Sequence, residues 1–324
     1  MRLRGIVHPM TQRGPTLLFF SPVPMAEIWT KPIGMLMPEL AVRVHAGEMK
    51  PTKGIRYVLG FRPPPGALAM LPDLKCVFSF GAGVDSILAD PSYPKHVPLV
   101  RFADETLARD MAQYCVLHTL IHYRRQRELD AQQRSKVWRW VVPKHGEGIR
   151  VGVLGLGVIG RMTAERLRDL GFAVAGWSRT PKKIPGIESF AGRDSLDAFL
   201  ARTDIAICLL PLTPETEHVL DARAFALLPE GAVVINAARG KHLVERDLIA
   251  ALDAGHLKAA TLDVFETEPL PVDNPLWTHP KVTVTPHGAG LSDPNAVARS
   301  VVDNIRRVER GEKPPHQVDF ARGY

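Results

Sequence analysis

Apolar residues recur along this chain in short runs separated by stretches of helical spacing. Runs at 17–20, 40–44, 55–61, 74–80 and 97–102 predict strands with helical segments between them. A second series starts at Ile149, with strands predicted at 150–154, 173–177, 205–210, 232–236, 260–264 and 282–285. Such alternation implies parallel strands joined by crossovers, and six strands separated by helices are what a dinucleotide-binding domain requires.

Between the two series, the stripe Leu107, Met111, Tyr114, Leu117 and Ile121 predicts one long helix over 104–130. A Trp- and Pro-containing connection, 138–143, follows it. Ser292-Asp293-Pro294 offers a cap and then a proline near the first helical position, so a last helix opens there and ends near Gly311. Because this helix follows the sixth strand, it is expected to cross back to the first domain. The expected fold is α/β, with two Rossmann-like parallel-sheet domains. Residues 1–101 and 289–324 would form a discontinuous substrate domain, with the cofactor domain, 102–288, inserted into it.

Composition narrows the picture without changing it. The 324 residues are 45% hydrophobic and 23% charged, a globular balance in a chain long enough for two domains. No apolar run approaches the roughly 18–20 residues of a bilayer span, and 17–20 is too short for a signal-peptide core. A cytoplasmic protein with no membrane partner is expected. Cys76, Cys115 and Cys208 lie far apart in apolar stretches and read as packing residues. The net charge of +7 raises nucleic acid as a partner. Its densest run, Arg124-Arg125-Gln126-Arg127, instead sits at the end of a helical stripe, where cations complement the helix dipole. No nucleic-acid-binding motif accompanies it.

The chemistry begins at Gly155-Leu156-Gly157-Val158-Ile159-Gly160. An apolar strand ends directly at Gly155, a helical pattern follows Gly160, and a second strand begins at Ala173. That context makes the turn a dinucleotide fingerprint, with the backbone of Val158 and Ile159 at the helix start facing a pyrophosphate. An NAD site usually places an acid at the end of the second strand to bind the ribose diol. Here Trp177-Ser178-Arg179-Thr180 stands there, with Lys182 and Lys183 beyond, and the first carboxylate is Glu188. Arg179 with Ser178 suits a 2′-phosphate, so NADP is preferred and NAD remains possible; the other reading is of solvated loop charges.

Arg239, Glu268 and His287 follow three successive predicted strands. Catalytic groups in open α/β sheets gather at the carboxyl ends of strands. Hydride arriving at a carbonyl carbon leaves charge on oxygen, and a histidine suits the proton donation that follows. A carboxylate bonded to the other ring nitrogen would orient the imidazole. An arginine would bind a substrate carboxylate and polarise the carbonyl. Together the three point to reduction of a small 2-keto acid.

These segments resemble the D-2-hydroxyacid dehydrogenase family, most closely its glyoxylate/hydroxypyruvate reductase branch. The resemblance rests on Phe80-Gly81-Ala82-Gly83-Val84-Asp85-Ser86-Ile87-Leu88, the turn at 155–160, Trp177-Ser178-Arg179 and Ala238-Arg239-Gly240. It also rests on 262–270, Pro275-Leu276-Trp277, Thr285-Pro286-His287 and Ala321-Arg322-Gly323-Tyr324. It covers nearly the whole chain from Leu17. It implies His287 as general acid/base, Glu268 as its partner and Arg239 as substrate binder. The backbone at Ala82 and Gly83 would receive the substrate carboxylate. It further implies Asp263 near the nicotinamide carboxamide, Leu210 and Pro211 on the adenosine side, and Ala237 in the cofactor site. Trp138 matches a region that in some relatives crosses a dimer, and a homodimer is implied. The alternative is that Trp138 and Trp140 anchor the connection to the cofactor domain.

The chain departs from the family pattern in places. Gly288-Ala289-Gly290 follows the histidine where a bulkier residue and alanines are frequent, and Phe61 stands where close relatives carry a tryptophan. Residues 1–15 lie outside the resemblance, as a disordered extension or a misplaced start. His118 and His122 have a metal-pair spacing, but with no adjacent glutamate or third ligand they read as packed or solvent-facing histidines, and no metal is expected. Glu268 stands where the formate-oxidising branch resembles a glutamine, which disfavours that activity. The remaining alternatives are another dehydrogenase of the family, such as a phosphoglycerate type, and a non-catalytic NAD(P)-sensing protein of corepressor type.

Overall fold

The structure, a computed structural model, describes residues 15–20, 26–45, 48–142 and 148–324. Of residues 1–15, read from sequence as a disordered extension or a misplaced start, 1–14 lie outside the described residues. The chain divides into two compact units, one of the described residues up to Phe102 together with 292–324, the other of 103–291.

In the first unit β1 (Thr16–Phe20) is followed by α1 (Ala26–Leu36), β2 (Ala41–Val44) and β3 (Ile55–Gly60). Then come β4 (Cys76–Ser79), the single turn α2 (Asp85–Leu88) and β5 (Leu99–Val100). The sheet order is β2-β1-β3-β4-β5, parallel throughout. Every residue of β1 and of β4 is buried, as expected for central parallel strands covered on both faces.

In the second unit the helix predicted over 104–130 is two helices, α3 (Glu105–Tyr123) and α4 (Gln126–Arg134). Asp104 caps α3 by accepting from the Leu107 amide at 2.9 Å. The break falls at Arg124-Arg125, with Arg125 left-handed at φ 55°. From Arg124 to Glu128 the chain offers only polar side chains. Arg125 pairs with Glu128, and Arg127 donates to the Pro280 carbonyl at 2.8 Å and to Thr283 Oγ1 at 3.1 Å. The basic run thus does close a helix, as its position implied, and a second helix starts within it. Leu117, assigned to the apolar stripe, is exposed; the buried face runs instead through Leu107, Ala108, Ala112, Cys115 and Thr119.

Beyond α4 the unit contains β6 (Arg150–Leu154), α5 (Val158–Asp169), β7 (Ala173–Ser178) and β8 (Glu188–Ala191). It continues through α6 (Leu196–Ala201), β9 (Ile205–Cys208), α7 (Ala222–Leu227) and β10 (Ala232–Asn236). Last come α8 (Glu245–Asp253), β11 (Leu257–Leu262) and β12 (Val282–Val284). The parallel sheet runs β12-β11-β10-β9-β6-β7-β8, so it has seven strands where six were predicted. The additional one, β8, is an edge strand with no buried residue. It carries no apolar run for periodicity to detect. The strand order reverses between β6 and β9, the crevice where open α/β sheets take their ligands.

The closing helix, α9 (Pro294–Glu309), packs on α1 and belongs to the first unit. Asp293 caps it from the Asn295 and Ala296 amides, as Ser292-Asp293-Pro294 implied. After Gly311 the chain lays Gln317 antiparallel against Val100, and the Val318 amide donates to Leu99 O at 2.8 Å.

Polar groups inside the second unit are packed rather than exposed. His118 packs at a tilt against Tyr114 with ring centroids 4.3 Å apart, and His122 Nε2 lies 2.8 Å from Thr261 Oγ1. Among the described residues no group of three His, Cys, Asp or Glu side chains is placed to hold a metal. Likewise, no described helix is long and apolar enough to cross a membrane. The three cysteines are free and buried, and burial pushes their thiols up to about 12.

Burial drives the His122 imidazole down from 6.5 to about 3, helped by the nearby His118 and Arg127. Between those values the unfolded chain binds a proton that the fold excludes, so stability falls as pH drops through that window. His122→Asn, which keeps a partner for Thr261, should flatten this dependence. Urea midpoints measured from about 6.5 downward test it; an unchanged pH slope would show that His122 is not responsible.

Candidate active site

The glycine turn is built by backbone approach. β6 is buried from Val151 to its end and delivers Gly155 at φ +102°, a region that side chains rarely adopt. The Gly155 amide donates to Trp177 O at 2.8 Å, tying the turn to β7. At Gly160 a Cβ would lie 1.7 Å from the Gly155 carbonyl oxygen, so any side chain there would force α5 away from the strand. Gly157 meets nothing within 4 Å, and no side chain caps α5 at that residue. The turn therefore leaves an open cradle at a helix N-terminus, beside the amides of Val158 and Ile159. That is the arrangement a pyrophosphate requires, and the residues present fit a dinucleotide.

At the end of β7, Ser178 is buried and Arg179 and Thr180 are exposed. Ser178 Oγ donates to the Thr180 carbonyl at 2.8 Å, and the Gly192 amide donates to Ser178 O at 3.1 Å. The serine hydroxyl thus shapes the turn that presents Arg179. Glu215 is held below the usual carboxylate range by the Thr213 hydroxyl first, then by its own backbone and by the Arg179 charge. Arg179 therefore acts across onto the loop that follows β9, the loop containing Leu210 and Pro211. Thr216 Oγ1 donates to the Pro211 carbonyl at 2.7 Å and keeps that loop compact.

Arg239 leaves the end of β10 in a tightly bonded turn. Ala237 is buried, and its amide donates to Cys208 O at 3.3 Å. Asn236 Nδ2 donates to the Arg239 carbonyl at 2.9 Å, while its Oδ1 accepts from the Ala238 amide at 3.2 Å. The guanidinium is folded back so that Nη1 donates to Ala238 O at 2.7 Å. Gly240 lies backbone to backbone against Phe265 and Glu266, which brings this turn beside the segment that carries Glu268.

His287 and Glu268 meet directly. Nδ1 of His287 is 2.8 Å from Glu268 Oε2, and Glu268 Oε1 accepts from the Phe265 amide at 3.1 Å. The carboxylate side chain is 15% exposed and the imidazole 35%, so the pair is buried at its acidic end and open at the ring. His287 itself is left-handed at φ 52°. Its amide donates to Asp263 O at 2.8 Å. The Asp263 side chain, 1% exposed, accepts from Thr285 Oγ1 at 2.6 Å, the Gly288 amide at 2.8 Å and the Ala289 amide at 2.9 Å. Thr285 is in turn 2.7 Å from the Tyr114 hydroxyl on α3. Asp263, singled out in the sequence only by resemblance, is here the anchor of the histidine's turn.

The first unit holds the remaining predicted residues. Ala82 and Gly83 follow β4 in a half-buried bend. The Gly81 amide donates to Ser79 Oγ at 3.2 Å, and the Phe102 amide donates to Gly81 O at 3.2 Å. Phe61 joins Phe80 at 5.7 Å between centroids, and Phe80 stacks on Trp29 at 4.8 Å. Sequence reasoning gave no site role to Asn236, His242, Thr285 or Tyr114. Each is a common polar residue whose partner is set by the fold; only the crowding of Asn236 and His242 around Arg239 was visible in the chain.

The chain is similar to known proteins over most of its length. Residues 116–289 match the family model described as the NAD binding domain of D-isomer specific 2-hydroxyacid dehydrogenases. A glyoxylate/hydroxypyruvate reductase A of Yersinia enterocolitica is 42% identical over 314 residues, covering 95% of this chain and 99% of that protein. One of Serratia proteamaculans is equally similar over the same extent. Among solved structures, a D-isomer specific 2-hydroxyacid dehydrogenase of Xanthobacter autotrophicus Py2, in complex with NADPH and MES, matches with a TM-score of 0.90. It is 44% identical and covers 96% of this chain and 100% of its own. An NADPH-dependent glyoxylate/hydroxypyruvate reductase of Sinorhizobium meliloti, in complex with NADP and sulfate, also has a TM-score of 0.90, at 38% identity and the same coverage.

The Asp263 geometry makes a prediction of its own. In Asp263→Asn the new amide nitrogen would face a backbone N–H, so at least one buried donor loses its partner. Stability should fall by about 1–3 kcal/mol, read from the shift in denaturant midpoint. An unchanged midpoint would mean that the carboxylate does not hold the turn.

Proposed function

The chain belongs to the D-isomer specific 2-hydroxyacid dehydrogenase family, and from that premise we propose that it reduces glyoxylate to glycolate and hydroxypyruvate to D-glycerate, with NADPH as the preferred reductant. The observation that carries the reading is the 2.8 Å contact between His287 Nδ1 and Glu268. A carboxylate there accepts from Nδ1–H, so the proton exchanged with substrate is the one on Nε2. The reduced nicotinamide supplies the hydride. His287 delivers the Nε2 proton to the oxygen that gains charge, and the neutral ring left behind keeps its Nδ1–H on Glu268. Arg239, anchored on Ala238 O, sets its charge against the substrate carboxylate and carbonyl. For the amides at Ala82 and Gly83, in the first unit, we propose a role in substrate-carboxylate binding, as the resemblance implied. In this reading 103–291 is the cofactor domain, and the unit containing Ala82 and Gly83 is the substrate domain.

The preference for NADPH is supported by the end of β7. Ser178, Arg179 and Thr180 stand where an acid would bind the ribose diol, and a guanidinium suits a 2′-phosphate. Two structurally similar proteins carry NADPH or NADP. The names of the reductases from Yersinia and Serratia support the choice of keto acids. A homodimer is supported by the apolar surface around the end of α4. Trp138 is 95% exposed and Trp140 86%, with Val137 and Val142 also exposed. A second copy covering that face would bring Trp138 toward its neighbour.

Replacing His287 by Ala should lower kcat by about 10²–10⁴ while NADPH binding persists. Glyoxylate turnover at the wild-type rate would remove the histidine from the mechanism. Arg179→Ala should weaken NADPH far more than NADH. Titration of both cofactors tests this, and equal losses would overturn the 2′-phosphate assignment.

A further inference from the structure

His242 takes no part in the chemistry above, yet it is completely buried beside Arg239. Its ring spans the loops that leave two adjacent strands, β9 and β10. The Arg239 amide donates to Nδ1 at 3.2 Å, and Nε2 lies 3.2 Å from the Pro211 carbonyl oxygen. A backbone N–H can only donate, so Nδ1 is the accepting nitrogen and the ring proton sits on Nε2, given to Pro211. Nδ1 is also 3.2 Å from the Arg239 carbonyl oxygen. That oxygen already accepts from Asn236 Nδ2 at 2.9 Å and from the His242 amide at 3.2 Å, which occupies its two lone pairs and leaves the Arg239 amide as the partner for the ring.

We propose that His242 is a positioning residue for Arg239, a neutral Nε2–H imidazole that clamps the Arg239 backbone to the Pro211 loop and so fixes where the guanidinium points. The link from backbone to guanidinium is short, because Nη1 is bonded to Ala238 O within the same turn. Any rotation of that turn carries the charged group with it. Further bonds hold the two loops in register: the His218 amide donates to Lys241 O at 2.8 Å and the Leu220 amide to His242 O at 2.9 Å. The imidazole adds a side-chain bridge that reaches the Arg239 amide itself. This proposal rests on the reading of Arg239 as the substrate-binding arginine.

The test compares His242→Ala, His242→Asn, Arg239→Ala and the double variant His242→Ala/Arg239→Ala, with glyoxylate varied at saturating NADPH. His242→Ala should raise KM for glyoxylate and lower kcat/KM by about 10–10²-fold, the scale of a misplaced binding group, while the NADPH Kd changes far less. His242→Asn, whose amide oxygen stands in for Nδ1, should recover most of the loss. The double variant should be no worse than Arg239→Ala alone. Nitrogen-15 NMR of the wild-type protein should show His242 as the Nε2–H tautomer, a readout that survives if the alanine variant fails to fold.

A thermal stability loss without any change in KM, an additive double variant, or an Nδ1–H tautomer would each overturn the proposal. If Arg239→Ala itself leaves KM unaltered, the substrate-binding reading fails, and the proposal with it. A Nε2–H tautomer would then leave the clamp standing as geometry alone, which separates the two failures.

Discussion

The Asp263 carboxylate is the contact on which the candidate site depends. It is buried, and a buried carboxylate is costly unless its oxygens are bonded. Here Thr285, Gly288 and Ala289 bond them. Those three bonds wrap the chain around the end of β11 and hold His287 in a left-handed conformation, which costs a residue with a side chain on the order of 1–2 kcal/mol. The strain has a visible return. With the backbone turned this way, the imidazole meets Glu268 while staying partly open, instead of continuing outward with β12.

The dinucleotide end of the site follows a different logic. There the chain removes side chains, whereas around Asp263 it adds polar ones. Gly155 and Gly160 let a strand end and a helix start share almost the same space, and the amides at the start of α5 are left to face an anion. Only at the ends of β9 and β10 do both styles meet, where buried polar side chains brace loops that themselves remain close to the cofactor turn.

How much of this was legible in the sequence depends on the range of the signal. Parallel strands, the glycine turn and the cap at Asp293 are encoded within a few residues of themselves, and they stand where the pattern put them. Arg239, Glu268 and His287 were legible because each follows a strand whose end the periodicity locates. β8 was not, because an exposed edge strand has no apolar alternation to detect. The break at Arg125 was hidden too: a helix former such as arginine carries no breaking signal, and its conformation goes with its pairing to Glu128 on α4, while Arg127 two residues on reaches Thr283 on β12. The work of Asp263 and Asn236 depends on hydrogen bonds that only folding creates, so a linear reading sees ordinary acids and amides.

The ends of the two sheets bear on how such a molecule meets its own kind. An open strand edge invites a neighbouring chain to extend the ladder. In the first sheet β5 is two residues long and already occupied by the antiparallel stretch at Gln317 and Val318. In the second sheet β8 is four residues long, while three-residue β12 has Arg127 bonded to its Thr283 side chain and to the preceding Pro280 carbonyl. Three of the four borders are therefore short, polar or already filled. Self-recognition through such borders is blunted at the level of the backbone. Away from β2, the remaining border, specific pairing of copies is left to side chains on the helical and loop faces, where single substitutions can tune it without disturbing either ladder.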